Sequence, residues 1–340
     1  MQKIKIENNF DILRLFLAVL VYFAHWNTLT GQNLSHIVFH LSGYAVHMFF
    51  IVSGFLIFWS FDADQNKKHF YIKRFFRIFP LYAFLIILQT LFFIWFSNEN
   101  VFQTIKYFIS NIFFLNFLSP TVGTILSDLK VNAINGSLWT LKNEVVFYLA
   151  IPLLFMLYKK FGKAVFVIFY ILSVAYMFII DYIVSLEIVS RHHADILLFQ
   201  FPAQVRLFMV GILMYVLFHK FKKQNIYSFA LISLFLLIFF KNNTYFIYIA
   251  YPFCIGFMMV YLAYFVKQIK IHFDFSYSFY ILHFPVIQLA LYFGINPSNS
   301  VLSFVILFAV VLILSYFFEN YIEKKFIQIG KNIIRQDKNV

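Results

Sequence analysis

The sequence predicts an all-α, polytopic membrane bundle, and three observations carry that prediction. First, 62% of the 340 residues are hydrophobic and only 12% are charged, against about 25% charged in a soluble domain. Second, mean hydropathy is +0.81, so too little polar surface exists to cover a water-soluble core. Third, apolar runs recur at about the 20 residues needed to cross about 30 Å of hydrocarbon. Disorder, a soluble enzyme and a disulfide-built secreted scaffold are thereby excluded. The one cysteine, Cys254, cannot close an internal disulfide. The 51 phenylalanines and 22 tyrosines suit lipid-facing surface and interfacial aromatic belts.

Ten spans are expected: Phe10–Leu29, Leu41–Phe61, Ile78–Ser97, Leu138–Tyr158, Lys163–Val184, Leu198–Phe218, Asn225–Phe240, Tyr245–Val266, Ser276–Gly294 and Val301–Asn320. The run Phe10–Leu29 is too long for a signal-peptide core, contains Arg14 and precedes no Ala-x-Ala site, so it reads as an uncleaved span. An eleventh run, Val101–Leu118, is interrupted by Gln103, Lys106, Ser110, Asn111 and Asn116.

Loop charge decides the count. Basic clusters fall at Lys3/Lys5, Lys67–Arg77, Lys159/Lys160/Lys163, Lys220/Lys222/Lys223, Lys267/Lys270 and after Glu323. The alternate loops, Gly31–His40, Ser97–Asn100, Ser185–Asp195, Lys241–Thr244 and Asn296–Ser300, are nearly free of Lys and Arg. Ten spans with both termini inside place every basic cluster in the cytoplasm. Val101–Gly136 is then a partly inserted, re-entrant segment on the outer side, tolerable where its backbone is covered by protein. One domain over 1–340 is expected, with no appended soluble domain. The net charge of +13 is accounted for by these loops, so nucleic-acid binding is not expected.

Ionisable groups within spans are costly, about 2.5–3.5 kcal/mol for Arg or Asp at the centre, so each calls for a partner or a function. Here they are Arg14, His25, His47, Glu144, Arg206 and His283. Arg14 and His25 are eleven residues apart, which at about 100° per residue returns to within about 20° of one face, with a rise of about 16 Å. The span directions put Arg14 near the cytoplasmic side and place His25, His47 and Glu144 at one depth. An imidazole and a carboxylate in a dry bundle can form a general-base pair, the carboxylate setting the tautomer. Arg206 reads either as a structural cation or as one that orients substrate, and His283 as a packing residue or a ligand. Arg74 and Arg77, three apart on one helix face beside Lys73, mark the cytoplasmic side and also suit phosphate oxygens. Ser53–Gly54 reads as close helix packing. His192, His193 and Asp195 lack a metal-ligand spacing, and no metal is expected. No phosphate-binding glycine loop or nucleophile elbow occurs.

Six blocks in order resemble the acyltransferase-3 membrane proteins. FDILRLFLAVLVYFAH is similar to that family's Arg-x10-His signature, through Arg14 and His25. AVHMFFIVSGFLI resembles its second-span block, and FYIKRFFRIFPLY follows with Arg74, Arg77, Pro80 and Tyr82. NGSLWTLKNEVVFYLAIPLL carries a Ser-Leu-Trp block with Glu144, Phe147 and Tyr148. SFYILHFPV carries His283, and YFFENYIEKKF the terminal block with Glu323. His47 stands where many members have an acidic residue, and the last block has Lys325 after Lys324 where the family usually ends Glu-Lys-Pro.

The resemblance implies transfer of an acyl group, usually acetyl from cytosolic acetyl-coenzyme A, to a hydroxyl of a cell-surface or lipid-linked glycan, within a bacterial cytoplasmic membrane. Arg14, Lys73, Arg74 and Arg77 become candidates for the donor. His25, with Glu144 and His47, becomes the catalytic candidate set, as general base or as acyl-histidine nucleophile. Trp139, Arg206 and His283 become candidates for substrate binding. A transporter or flippase for a glycan lipid or anion also accommodates intramembrane Arg and His, but does not require these blocks in this order. A non-catalytic assembly subunit leaves the ionisable residues at one depth without a purpose.

Overall fold

In the computed structural model the chain is α-helical, with no strand among the described residues. The structure describes residues 7–32, 36–271, 273–295 and 301–338, with the backbone alone for 36–42. The Lys3/Lys5 cluster, the loop Asn296–Ser300 and part of Gly31–His40 lie outside the described residues.

The helices are α1 (Phe10–Thr30), α2 (His36–Ala63), α3 (Lys67–Phe96), α4 (Val101–Ile112), α5 (Trp139–Phe161), α6 (Ala164–Ser185), α7 (Arg191–Leu198), α8 (Phe201–Leu217), α9 (Lys223–Phe239), α10 (Tyr251–Tyr264), α11 (Ser276–Tyr292), α12 (Val301–Phe318) and α13 (Lys324–Lys338). Eight stretches of helix among the described residues are long and apolar enough to cross a membrane, and they coincide with eight of the ten expected spans. The other two expected spans fall on the shorter helices α9 and α11, of 17 residues each, or about 26 Å of helix, which are not among those eight. The interrupted run forms only α4, 12 residues and about 18 Å long, too short to cross. Two π-helical turns occur, Phe246–Ala250 before α10 and Glu319–Glu323 between α12 and α13.

The chain divides into two compact units. The first comprises Met1–Leu13, Val46–Lys67 and Asn143–Ile271. In it α8 packs against α6 and α10, and α9 covers α10. The face of α2 meets α8 at two glycines: a Cβ on Gly211 would lie 2.1 Å from the Ile51 carbonyl oxygen, and one on Gly54 2.3 Å from that of Phe208. The backbones therefore touch, as small residues allow in membrane bundles. Beside this contact Phe147 stacks on Phe208 with centroids 4.2 Å apart.

The second unit comprises Arg14–Ala45, Lys68–Lys142 and His272–Val340. Its largest helix pairing is α11 with α12. The irregular stretch after α4 is held by buried amides. Asn111 Nδ2 donates to the Tyr107 and Ser119 carbonyls at 2.9 and 2.8 Å, and Asn116 Nδ2 to Tyr82 Oη and Asn111 Oδ1, both at 2.9 Å. Gln288 of α11 donates to the Val131 and Ala133 carbonyls. Asn111 of the broken run and Gln288 of α11 thus satisfy non-helical carbonyls of this stretch, and Asn116 ties Asn111 to Tyr82. Helix α13 returns to α3, with Gly330 against Phe76 and Asp337 accepting from Lys68 and His69.

Gly211→Val drives a side chain into a neighbouring backbone and is expected to cost about 1–3 kcal/mol, read as a lower unfolding midpoint in detergent. Gly43→Ala, inside α2 where a Cβ meets nothing within 4 Å, leaves the midpoint unchanged or raises it, since alanine favours helix by about 0.5–1 kcal/mol. Equal midpoints for the two variants refute the backbone contact.

Candidate active site

In the second unit α1 places Arg14 and His25 on one helix, as the spacing predicts. His25 Nδ1 lies 2.6 Å from His283 Nε2, and His283 Nδ1 lies 3.2 Å from the Phe279 carbonyl oxygen. His25 is half-buried and His283 fully buried. The rings of Tyr22, Phe279 and Tyr280 surround His283, and Phe284 sets its edge on His25 at 5.0 Å. Gly136 is what lets Phe284 sit there, since a Cβ at this position would lie 2.8 Å from its ring. Pro285 lacks the N–H that Ile281 would otherwise bond within α11, and Asn135 Nδ2 takes that carbonyl instead at 2.9 Å. Asn135 Oδ1 also accepts from Ser137 N at 3.2 Å, which caps the short turn leading to half-buried Trp139 at the start of α5.

One carboxylate gathers two of the cations. Asp274 Oδ2 accepts from Arg14 Nη2 at 3.0 Å and from Arg77 Nη2 at 2.9 Å. Its Oδ1 accepts from Ser276 Oγ at 2.7 Å, and its own N–H donates to Glu319 Oε1 at 2.9 Å. Glu319 sits in the second π turn and pairs with Lys324 at 3.2 Å. Asp274 lies in the stretch before α11. Burial works against its charge, but Arg14 and Arg77 outweigh it and hold the carboxyl at about 2 instead of 3.8. On α3, Lys73 is half-buried and the Arg74 guanidinium lies 5.7 Å from the centre of the Phe70 ring.

In the first unit Glu144 Oε1 accepts from Ser53 Oγ at 3.0 Å and from Tyr148 Oη at 2.5 Å. His47 Nδ1 bonds Tyr251 Oη at 2.7 Å. Arg206, 2% exposed, donates through Nη1 to the Ile247 and Tyr248 carbonyls of the first π turn at 2.7 and 3.2 Å. Ser190 caps α7 and its Oγ bonds His193 Nδ1 at 2.7 Å, while Arg191 pairs with Asp181 and Asp195. No group of three metal-capable residues occurs among the described residues.

The structure therefore brings His25 to His283, and Arg14 to Arg77. Glu144 and His47, expected to orient His25, have the hydrogen-bond partners just named. Sequence reasoning did not single out Asp274, Asn135, Tyr251 or the hydroxyl of Ser53. Tyr148 had a signal in its spacing, four residues from Glu144 on one helix face. Asp274 had a weaker one, as a lone acid following a basic loop.

These features define a helical membrane protein whose chemistry-bearing groups are an imidazole pair and a two-arginine clasp. A family described as the acyltransferase domain matches residues 7–320, and the chain belongs to that family, the acyltransferase-3 membrane proteins. It is an acyltransferase, and the match gives the transporter reading no support. The chain is 30% identical over 346 aligned positions to a protein named O-acetyl transferase from Shigella phage Sf6, covering 94% of this chain and 96% of the relative. It is also 31% identical over 173 positions to nodulation protein 10 from Rhizobium leguminosarum bv. viciae, covering 46% of this chain and about half, 47%, of that relative's length. No solved structure matches.

Asp274→Asn is expected to lower stability in detergent by about 1–3 kcal/mol at neutral pH, because two guanidinium groups lose a charged acceptor. The depressed carboxyl contributes fully above its ordinary value of 3.8 and loses that contribution as pH falls through about 2. The gap between wild type and variant should therefore be constant from neutral pH to about 4 and close between there and 2. A gap absent at neutral pH refutes the clasp.

Proposed function

We propose that the protein is an O-acetyltransferase of a bacterial cytoplasmic membrane, moving acetyl from cytosolic acetyl-coenzyme A to a hydroxyl of a cell-surface or lipid-linked glycan. The observation that carries the reading is that Arg14, on the helix that also bears His25, is joined to Arg77 through Asp274. Two predicted donor-binding cations, distant in sequence, share one place, and Lys73 and Arg74 lie within the turn before Arg77. Near-full-length similarity to a protein named O-acetyl transferase supports acetyl as the transferred group.

Arginine forks fit phosphate oxygens, so Arg14, Lys73, Arg74 and Arg77 would hold the anionic part of the donor. His25, about 16 Å further along α1, would receive the proton of the acceptor hydroxyl. The hydroxyl oxygen attacks the thioester carbon, the C–O bond forms as the C–S bond breaks, and the thiolate leaves and takes the proton back from His25. From the sequence, Glu144 and His47 are assigned with His25 to catalysis, and Trp139 and Arg206 to contact with substrate. Both termini face the cytoplasm, and the stretch between α4 and α5 enters the outer leaflet. Where acetylation passes through an acyl-histidine, the same nitrogen of His25 is the nucleophile.

Binding of acetyl-coenzyme A to the purified protein tests the reading without knowledge of the acceptor. Saturable binding is expected, weakened about 10-fold or more in Arg14→Ala and in Arg74→Ala/Arg77→Ala, since each lost hydrogen bond to a charge is worth about 1.5–3 kcal/mol. His25→Ala should bind normally and transfer nothing. Absence of binding by folded wild type, or full transfer by His25→Ala, overturns it.

A further inference from the structure

We propose that His283 is a positioning residue that holds His25 in one tautomer, with hydrogen on Nδ1 and the lone pair on Nε2, so that Nε2 is the nitrogen that meets the acceptor hydroxyl. The inference rests on the reading of His25 as the base.

The argument is a chain of hydrogen-bond bookkeeping through two rings. The Phe279 carbonyl can only accept, so His283 Nδ1, 3.2 Å away, carries its hydrogen. A neutral imidazole has a single N–H, which leaves His283 Nε2 as an acceptor. The 2.6 Å contact between that nitrogen and His25 Nδ1 then requires a hydrogen on His25 Nδ1. His25 has none left for Nε2.

Two features support each link. The rings lie only 16° from coplanar with centroids 4.9 Å apart. With nitrogens 2.6 Å apart this is close to the greatest separation the centroids can have, so the nitrogens meet edge to edge in the plane of both rings. That is the geometry of a hydrogen bond, and face-to-face stacking is excluded. Neutrality of the pair follows from its surroundings: His283 is fully buried among the rings of Tyr22, Phe279 and Tyr280, where a standing ion without a carboxylate is expensive.

His25 Nε2, by contrast, receives no hydrogen bond from the described residues, and His25 is the more exposed of the two rings. When Nε2 accepts the acceptor's proton, the resulting imidazolium keeps its Nδ1–H on His283 Nε2 as a charge-assisted bond. Triads assign this duty to a carboxylate; here a neutral ring performs it and adds no charge to the bundle. His283 gains and loses no proton over the cycle.

Four variants of the protein, read by nitrogen spectra and by kinetics, test this. Histidine 15N spectra of the purified protein, with His25→Gln identifying the resonance, should show His25 hydrogenated at Nδ1 in wild type. In His283→Gln the side-chain Oε1 can take the place of Nε2 as acceptor, and the tautomer should persist; in His283→Leu it should shift toward Nε2–H. With acetyl-coenzyme A as donor and membranes of the producing cells as the acceptor source, His283→Leu should lose about 100-fold or more in kcat with KM for the donor unchanged. His283→Gln should restore most of that loss, which a purely space-filling role does not predict. His25 hydrogenated at Nε2 in wild type, or wild-type kcat in His283→Leu beside an inactive His25→Ala, overturns the tautomer assignment alone. Full transfer by His25→Ala overturns the reading of His25 beneath it.

Discussion

A half-buried ion beside a membrane span needs a countercharge, and the meeting of Arg14 and Arg77 on Asp274 supplies it within the second unit. One carboxylate draws a guanidinium from α1 and another from α3 to the same oxygen, Oδ2, and its backbone N–H is in turn fixed by Glu319. Because the acid precedes α11 directly, the clasp sets where that helix begins relative to α1. The imidazole pair bridges the same two helices higher up. With both ends of the α1–α11 pairing fixed by polar contacts, the aromatic rings between them need only fill space, which phenylalanine does without leaving further donors to satisfy.

The spans were legible because hydropathy over about 20 residues is a local property, and so was the shared face of Arg14 and His25, which depends only on helical geometry. Loop charge gives Arg14 and Arg77 one expected side of the membrane, but not their convergence. The carboxylate joining them was not legible. Asp274 is an ordinary residue of a short connection until α11 brings it to α1, and 260 residues of chain separate it from Arg14. The same holds for His283, which reads as a packing histidine until the fold sets it edge-on to His25. Ser53 shows how one position can carry two readings: its neighbour Gly54 does make the close backbone contact that small residues suggest, while Ser53 itself spends its hydroxyl on Glu144.

The stretch between α4 and α5 repeats the lesson at the scale of a segment. Its asparagines looked like defects in a hydrophobic run. In the fold Asn111 takes a carbonyl beyond the end of α4 and Asn116 braces it, while Asn135 takes the carbonyl that Pro285 strands in α11. A proline in one element and an amide in another thus form a single joint. The joint adjoins Gly136 and brackets His283, which lies between Ile281 and Pro285, so the irregular segment and the imidazole pair share their mechanical support.

Arg206 ends differently from the other intramembrane cation. Arg14 leans on a carboxylate, whereas the Arg206 hydrogen bonds run to two peptide carbonyls, exposed where the π turn at Phe246–Ala250 widens the helix. A countercharge made of peptide dipoles has no proton to gain. Acidification can discharge Asp274 and loosen its clasp, but it has no purchase on the support of Arg206. The two arginines therefore differ in kind: Arg14 is held through a group that senses pH, and Arg206 through a backbone shape that does not.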